Sequence, residues 1–317
     1  MKLQTQIPLK KQYSNNLINY ESDILLLGSC FAEHIGEKLK YYKLKSLSNP
    51  FGILFHPLAI KNLLSHAINK REFSEADIFS HNEQWHCFDT HSDMDSASKE
   101  VLIQTLNKQS RLLFEQLEKS THVILTLGTA WVYRFLKTDK VVANCHKVSQ
   151  KEFSKELFSV IEVVEILLET TSLIKKINPK CKILFTVSPV RHLKDGFVEN
   201  TRSKAHLIAA IHQVLETEGE CFYFPSYELV IDELRDYRFY NEDMLHPNPI
   251  AINYIWQKFQ EVWFTEDAIS FSKRIEAVQK SLNHKPFNPE SEAHKIFLEN
   301  LVYEKNQIKA LFPHISF

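Results

Sequence analysis

The sequence predicts an α/β protein: a three-layer doubly wound parallel sheet with helices on both faces and a helical C-terminal extension. Three observations carry this. Short continuous apolar runs bounded by Gly, Pro or Ser recur along the chain. Longer stretches between them repeat apolar residues at helical spacing. Finally, 44% of the 317 residues are apolar, enough to cover both faces of a sheet.

The apolar runs are DILLLG (23–28), HVILTLG (122–128), CKILFTVSP (181–189) and CFYFPS (221–226). None alternates polar with apolar residues, as suits strands buried on both sides. Phe31, Ile35 and Leu39 mark the buried stripe of a helix directly after the first strand. His56-Pro57 opens another, with Pro in its first turn. Stretch 97–119 carries Val101, Leu102, Leu106, Leu112, Leu113 and Leu117. Stretch 150–176 reads as one helix through Phe153, Leu157, Val160, Ile161, Val164, Ile166 and Leu167. Residues 200–217 and 250–264 follow the same habit. Strand–helix alternation implies right-handed crossovers and an open sheet.

Two segments interrupt the pattern. SHNEQWHCFDTHSDMDS (80–96) reads as an exposed polar loop, and 131–145 as a hairpin turning at Thr138-Asp139. Both are expected over one end of the sheet. Residues 1–265 are thus read as one domain. Residues 266–317 form a helical extension, broken at Pro286 and Pro289, that packs on the domain or on a second subunit as a homodimer.

The composition excludes several classes. Net charge is −1, with Lys interleaved among Asp and Glu, so no basic field exists for nucleic acid. No run of about 18 apolar residues could span a membrane, and MKLQTQIPLKKQYSNN lacks the apolar core of a signal peptide. Cys30, Cys87, Cys145, Cys181 and Cys221 are scattered and odd in number. They suggest reduced thiols in a cytoplasm rather than a disulfide framework. Only six glycines occur, with neither a dinucleotide fingerprint nor a P-loop, so no cofactor is expected. His86, Cys87, Asp89, His91, Asp93 and Asp95 match no defined zinc spacing, so no metal is expected.

The chemistry-bearing residues come at the two ends of the sheet pattern. Ligands of such sheets sit beyond the carboxyl ends of the strands. Gly28 ends the first strand, Ser29 falls at the N-cap and Cys30 at the first helical position. The helix dipole there favours a thiolate, which makes Cys30 the better nucleophile candidate and Ser29 the near alternative. The plainer reading makes Ser29 a cap and Cys30 a small buried residue. NEDMLHPN (241–248) supplies Asp243 and His246, three residues apart on a turn. A carboxylate so placed can orient one imidazole nitrogen and leave the other free as a base.

Nucleophile first and Asp-x-x-His last resembles the SGNH, or GDSL-like, hydrolase superfamily, which is built on a flavodoxin-like sheet. More closely, GSCFA at 28–32 is the signature of the bacterial GSCFA-domain family. NPFGILFHP (49–57), LGTAWVY (127–133), VVANCHK (141–147), TVSPV (186–190), YFPSYE (223–228) and DMLHPN (243–248) resemble that family too. The resemblance covers about residues 20–260. It implies that Gly28 matches the hydrolase Gly, Ser29 the Asp of Gly-Asp-Ser, and Cys30 the nucleophile. Asp243 and His246 then match the acid and base, Gly52 the second-block Gly whose N–H helps hold an oxyanion, and Gly128 the third-block Gly. The superfamily's oxyanion Asn, two residues after that Gly, is Ala130 here. Asn49, Asn144 or a backbone N–H is expected in its place. Thr129, His91, Asn144 and Ser188 are expected to line the pocket. The resulting expectation is an acyl-ester hydrolase or acyltransferase acting on a small-molecule or glycan acyl substrate through an acyl-enzyme. The other reading is a non-catalytic module that binds a glycan or acyl ligand.

Overall fold

In the computed structural model, which describes residues 3–317, the chain begins with β1 (Asp23–Gly28), α1 (Cys30–Tyr41), β2 (Lys45–Ser48) and α2 (Pro57–Ile68). The hairpin β3 (Phe79–His81) and β4 (Gln84–His86) follows, then α3 (Lys99–Lys119) and β5 (His122–Leu127). Next come β6 (Trp131–Phe135), β7 (Lys140–Val142), β8 (Phe153–Leu157), α4 (Val160–Ile177), β9 (Lys182–Val187), α5 (Phe197–Thr217) and β10 (Cys221–Tyr223). A short α6 (Ser226–Glu228) passes into a π-helical turn, and α7 (Pro249–Trp263), α8 (Glu266–Leu282) and α9 (Glu292–Leu311) complete the chain.

The central sheet has the order β2-β1-β5-β9-β10, every pair parallel. The chain leaves β1 for β2 on one side and returns across it to β5 on the other, so the strand order reverses between β1 and β5. This is the flavodoxin-like switch point, and sheets of this kind place their ligands at the carboxyl ends of those strands, here where Gly28 pairs with Thr126. Successive strand residues point to opposite faces. Leu25, Leu27, Val123, Leu125, Ile183 and Phe185 accordingly pack against α2, α3, α4 and α5. Ile24, Leu26, Ile124 and Leu184 pack against α1, α7 and α8. This division explains why the strand sequences carry no polar alternation.

The C-terminal helices close the second layer. Tyr20 stacks edge-on against Phe271 at 4.6 Å, and its hydroxyl lies 3.1 Å from Ser272 Oγ. Gln279 Nε2 donates to the Tyr41 carbonyl at 2.8 Å, while Ile275, Val278 and Ile308 join the core that contains Ile24 and Leu39. No helix among the described residues is long and apolar enough to cross a membrane.

Two expectations are corrected, and one strand is added. Residues 150–176 are not one helix: Phe153–Leu157 form β8, paired antiparallel with β6, and α4 starts only at Val160. A capping box decides the start: Ser159 Oγ accepts the Glu162 N–H, and the Glu162 carboxylate accepts the Ser159 N–H. β2 went unforeseen because KSLS is a half-buried edge strand with a single large apolar residue. The 80–96 segment is not an exposed loop. It folds as the β3–β4 hairpin and a following turn, with Cys87 and Thr90 fully buried, because its backbone groups pair internally: Trp85 and Ser96 exchange both N–H to carbonyl bonds, and the Thr90 N–H donates to the Cys87 carbonyl. The hairpin at 131–145 forms between β6 and β7, turning through Asp139 at φ 56°.

Candidate active site

The loops after β1, β2, β5 and β9 meet at the switch point. Gly28 has φ 139°, and a Cβ there would lie 2.1 Å from the Thr126 carbonyl oxygen, so only glycine fits this close strand approach. Ser29 then caps α1, its Oγ accepting the Phe31 N–H at 3.3 Å, and is fully buried. Cys30, the first residue of the helix, is only partly buried.

The expected thiolate is not what the surroundings favour. Burial pushes the Cys30 thiol up, and this outweighs the nearby Lys204 charge and the backbone N–H groups of residues 30 and 31, which pull it down. The dipole argument considered the helix end alone; desolvation of the anion is the larger effect. Cys30 therefore rests as a neutral thiol and needs a base.

Asn49 follows β2 in the left-handed region, at φ 42°. Its Oδ1 accepts the Gly28 N–H at 2.8 Å, while its Nδ2 is buried without a hydrogen-bond partner. Gly52 does not offer its N–H to a ligand, because that group donates to the Asn49 carbonyl at 2.8 Å in a tight turn. Glycine is required there for a different reason: φ is 75°, and a Cβ would lie 2.4 Å from His91 Cβ. His91 thus packs over the turn, its Nδ1 accepting the Asp93 N–H.

Phe55 O accepts the N–H groups of both Gly128 and Thr129, at 2.8 and 2.9 Å. Thr129 Oγ1 bonds to Ser203 Oγ and accepts the Trp131 N–H, which makes it part of the loop's internal bonding rather than a free pocket group. Ala130 directs its N–H to Ser203 Oγ and supplies no side-chain donor. Asn144 Oδ1 is likewise engaged, by the His146 N–H in a local turn. Ser188 is fully buried, its Oγ accepting the Val190 N–H.

Two residues of this site were not singled out from the sequence. Lys204, fully buried on α5, donates to the carbonyls of Gly128 and Ser188, both at 2.7 Å. Burial draws its pKa down to about 7, with the Cys30 charge opposing. His192 lies beyond β9, and its Nε2 is buried without a hydrogen-bond partner. A Cβ on Gly128 would sit 3.3 Å from that Nε2 and 3.3 Å from Ser29 Cβ, which places His192 beside the cap of α1. Burial, then Lys204 and His246, drive its pKa down to about 3, so it is neutral. The sequence carried no signal for this cluster beyond the helical spacing of 200–217.

His246 Nδ1 lies 2.6 Å from Asp243 Oδ2. Asp243 Oδ1 accepts the N–H groups of Leu245 and His246 at 2.8 and 3.0 Å, and these bonds hold its pKa down to about 2. The aspartate is therefore ionised and fixes the ring through Nδ1, while Nε2 makes no hydrogen bond among the described residues. The Arg191 N–H donates to the Leu245 carbonyl at 3.2 Å, tying this loop to the one that carries His192. Among the described residues no hydrogen bond runs from His246 to Cys30 or Ser29.

The strand order and the loop placement define a flavodoxin-like, doubly wound α/β protein. The chain belongs to the GSCFA family, whose model matches residues 23–259. A second model, "GSCFA domain protein, C-terminal domain", matches residues 275–317. No curated protein matches the chain. Among solved structures it is similar to an acetyl xylan esterase (Est2A) from the rumen bacterium Butyrivibrio proteoclasticus, at 10% identity and a TM-score of 0.41. The likeness covers 83% of this chain but only 65% of that one.

Proposed function

We propose that the protein is an acyl-ester hydrolase or acyltransferase that works through an acyl-cysteine. The observation that carries this reading is the 2.6 Å Asp243–His246 pair, on a loop that the Arg191 N–H to Leu245 carbonyl bond ties to the loop after β9, at the same sheet edge where Cys30 begins α1. An ionised carboxylate fixing Nδ1 leaves Nε2 as the acceptor a base requires. The mechanism requires that nitrogen within hydrogen-bond reach of the thiol in the substrate complex, where catalytic contacts often tighten.

In the first step His246 Nε2 takes the Cys30 proton while sulfur attacks the ester carbonyl carbon. The carbonyl pair moves to oxygen, and the Asn49 Nδ2–H₂ group, buried and unpartnered, supports a role as oxyanion donor. The C–O bond then breaks, and His246 returns the proton to the departing alcohol. Water or a sugar hydroxyl next attacks the thioester carbonyl, giving up its proton to His246; the C–S bond breaks, the acid or new ester leaves, and His246 returns the proton to sulfur to restore the thiol. Ser29 is the weaker nucleophile candidate, because its hydroxyl is fully buried and occupied as a cap. A small acyl ester or an acylated glycan fits the reading.

The test is incubation with p-nitrophenyl acetate and acetylated oligosaccharides, followed by intact-mass and peptide mapping. The expected result is an acetyl group on Cys30 that Cys30→Ala abolishes. Binding of an acetylated glycan with neither turnover nor adduct would establish a binding module instead.

A further inference from the structure

We propose that His86, Asp95 and His146 form a site for a divalent transition-metal ion of zinc chemistry. The three residues come from β4, from the turn before α3 and from the loop after β7, and their ligand atoms all lie within 4.8 Å of one another. Both imidazoles are buried, and Asp95 is nearly so.

The tautomers carry the argument. His86 Nε2 lies 2.9 Å from the His81 carbonyl, and His146 Nε2 lies 2.7 Å from the Cys87 carbonyl. A carbonyl only accepts, so each Nε2 bears a proton. In the neutral ring each Nδ1 is then a bare lone pair. Both lone pairs face the same carboxylate, His86 Nδ1 at 2.8 Å from Asp95 Oδ2 and His146 Nδ1 at 3.1 Å from Oδ1. His86 Nδ1 and Asp95 Oδ1 are buried without hydrogen-bond partners. Three electron-rich atoms converging in a buried space need positive charge between them. A cation supplies it, and backbone carbonyls holding the distal N–H are the usual support of metal-ligating histidines.

Two nitrogens and one carboxylate suit zinc rather than calcium or magnesium, which take oxygen. Bonds of about 2.0–2.2 Å in a tetrahedral site put ligand atoms roughly 3.3 Å apart, so the observed contacts open by a few tenths of an ångström. Three protein ligands leave one position for water. The ring of Phe79 packs 5.3 Å from His86, and Phe88 packs 6.2 Å from His146, shielding the cluster. The ion would cross-link the β3–β4 hairpin to the β7 loop. It would thereby steady the 87–95 turn that carries His91 onto Gly52 in the loop after β2.

The test uses tag-free full-length protein, stripped with chelator and then titrated with Zn²⁺ or Co²⁺. The expected result is one ion per chain by elemental analysis, d–d absorption of low-coordinate Co²⁺, and a higher melting temperature with Zn²⁺ than with chelator. Asp95→Asn, nearly isosteric, should weaken binding at least tenfold, and His86→Gln likewise. Folded wild-type protein that takes up no stoichiometric metal, with an unchanged melting temperature, overturns the proposal in favour of a proton-sharing cluster. Binding that survives unchanged in both variants overturns it in favour of surface histidines.

Discussion

Lys204 Nζ lies 2.7 Å from the carbonyl oxygen of Gly128 and 2.7 Å from that of Ser188. A buried amine, its pKa drawn down to about 7, thus joins the loops after β5 and β9, and in its charged form it draws the Cys30 thiol down against burial. Replacing it with Met should slow Cys30 alkylation at and below about pH 7, where the amine carries its charge, read as the iodoacetamide rate against pH by peptide mass spectrometry. It would also leave two carbonyls unpaired, so the melting temperature should fall; an orphaned buried group costs about 1–3 kcal/mol. An unchanged pH profile in folded Lys204→Met would show that the charge does not reach the sulfur.

Ser29 and Cys30 separate cleanly by substitution. Ser29→Ala removes a helix cap worth about 1 kcal/mol and should lower the melting temperature while sparing turnover. Cys30→Ala should keep the fold and lose ester cleavage by more than a thousandfold. The reverse pattern would move the nucleophile to Ser29.

Asn49→Asp tests the oxyanion donor. The carboxylate still accepts the Gly28 N–H, and Asp tolerates the left-handed backbone, but the Nδ2 donor is gone. A fall of about a hundredfold in kcat with little change in KM is expected. If kcat hardly moves, the donor lies elsewhere.

Stability should fall in acid through buried histidines. His56 Nδ1 accepts the Ala59 N–H as the cap of α2, and its Nε2 donates to the Val142 carbonyl. His122 is bonded at both nitrogens as well. Burial lowers both pKa values to about 4. Below the ordinary value of 6.5 the unfolded chain binds protons that the folded chain refuses, so stability is lost as pH falls from 6.5 through 4. Each ring accounts for on the order of 3 kcal/mol. His56→Asn keeps a cap without the titration, and its melting temperature should decline less between pH 7 and pH 5 than that of the wild type. Equal declines would assign the acid loss to other groups.

Ending the chain at Thr265 would uncover Tyr20 and remove Phe271, Ile275, Val278 and Ile308 from the core. Buried side chains of this kind contribute roughly 1.5–3 kcal/mol each. The shortened chain should therefore lose its cooperative melting transition; a native-like transition would show the extension to be dispensable.

The fold was legible where local patterning and burial agreed. Each apolar run became a parallel strand, and Phe31, Ile35 and Leu39 line one buried stripe of α1. Where pattern and partner disagreed, the partner won. Phe153 and Leu157 fit a helix by spacing, yet β6 offered a ladder and Ser159 a cap that set α4 apart. KSLS carries too little apolar character to declare itself as a strand.

The site divides the same way. The Asp243–His246 pair and the Ser29 cap follow from residues three or fewer positions apart, so the amino-acid order alone determined them. The neutral Cys30 thiol, the spent N–H of Gly52, the buried Lys204 and the His86–Asp95–His146 cluster involve residues distant in the chain. Only the tertiary structure decided those, because desolvation and hydrogen-bond partnership depend on what packs nearby, which local order does not encode.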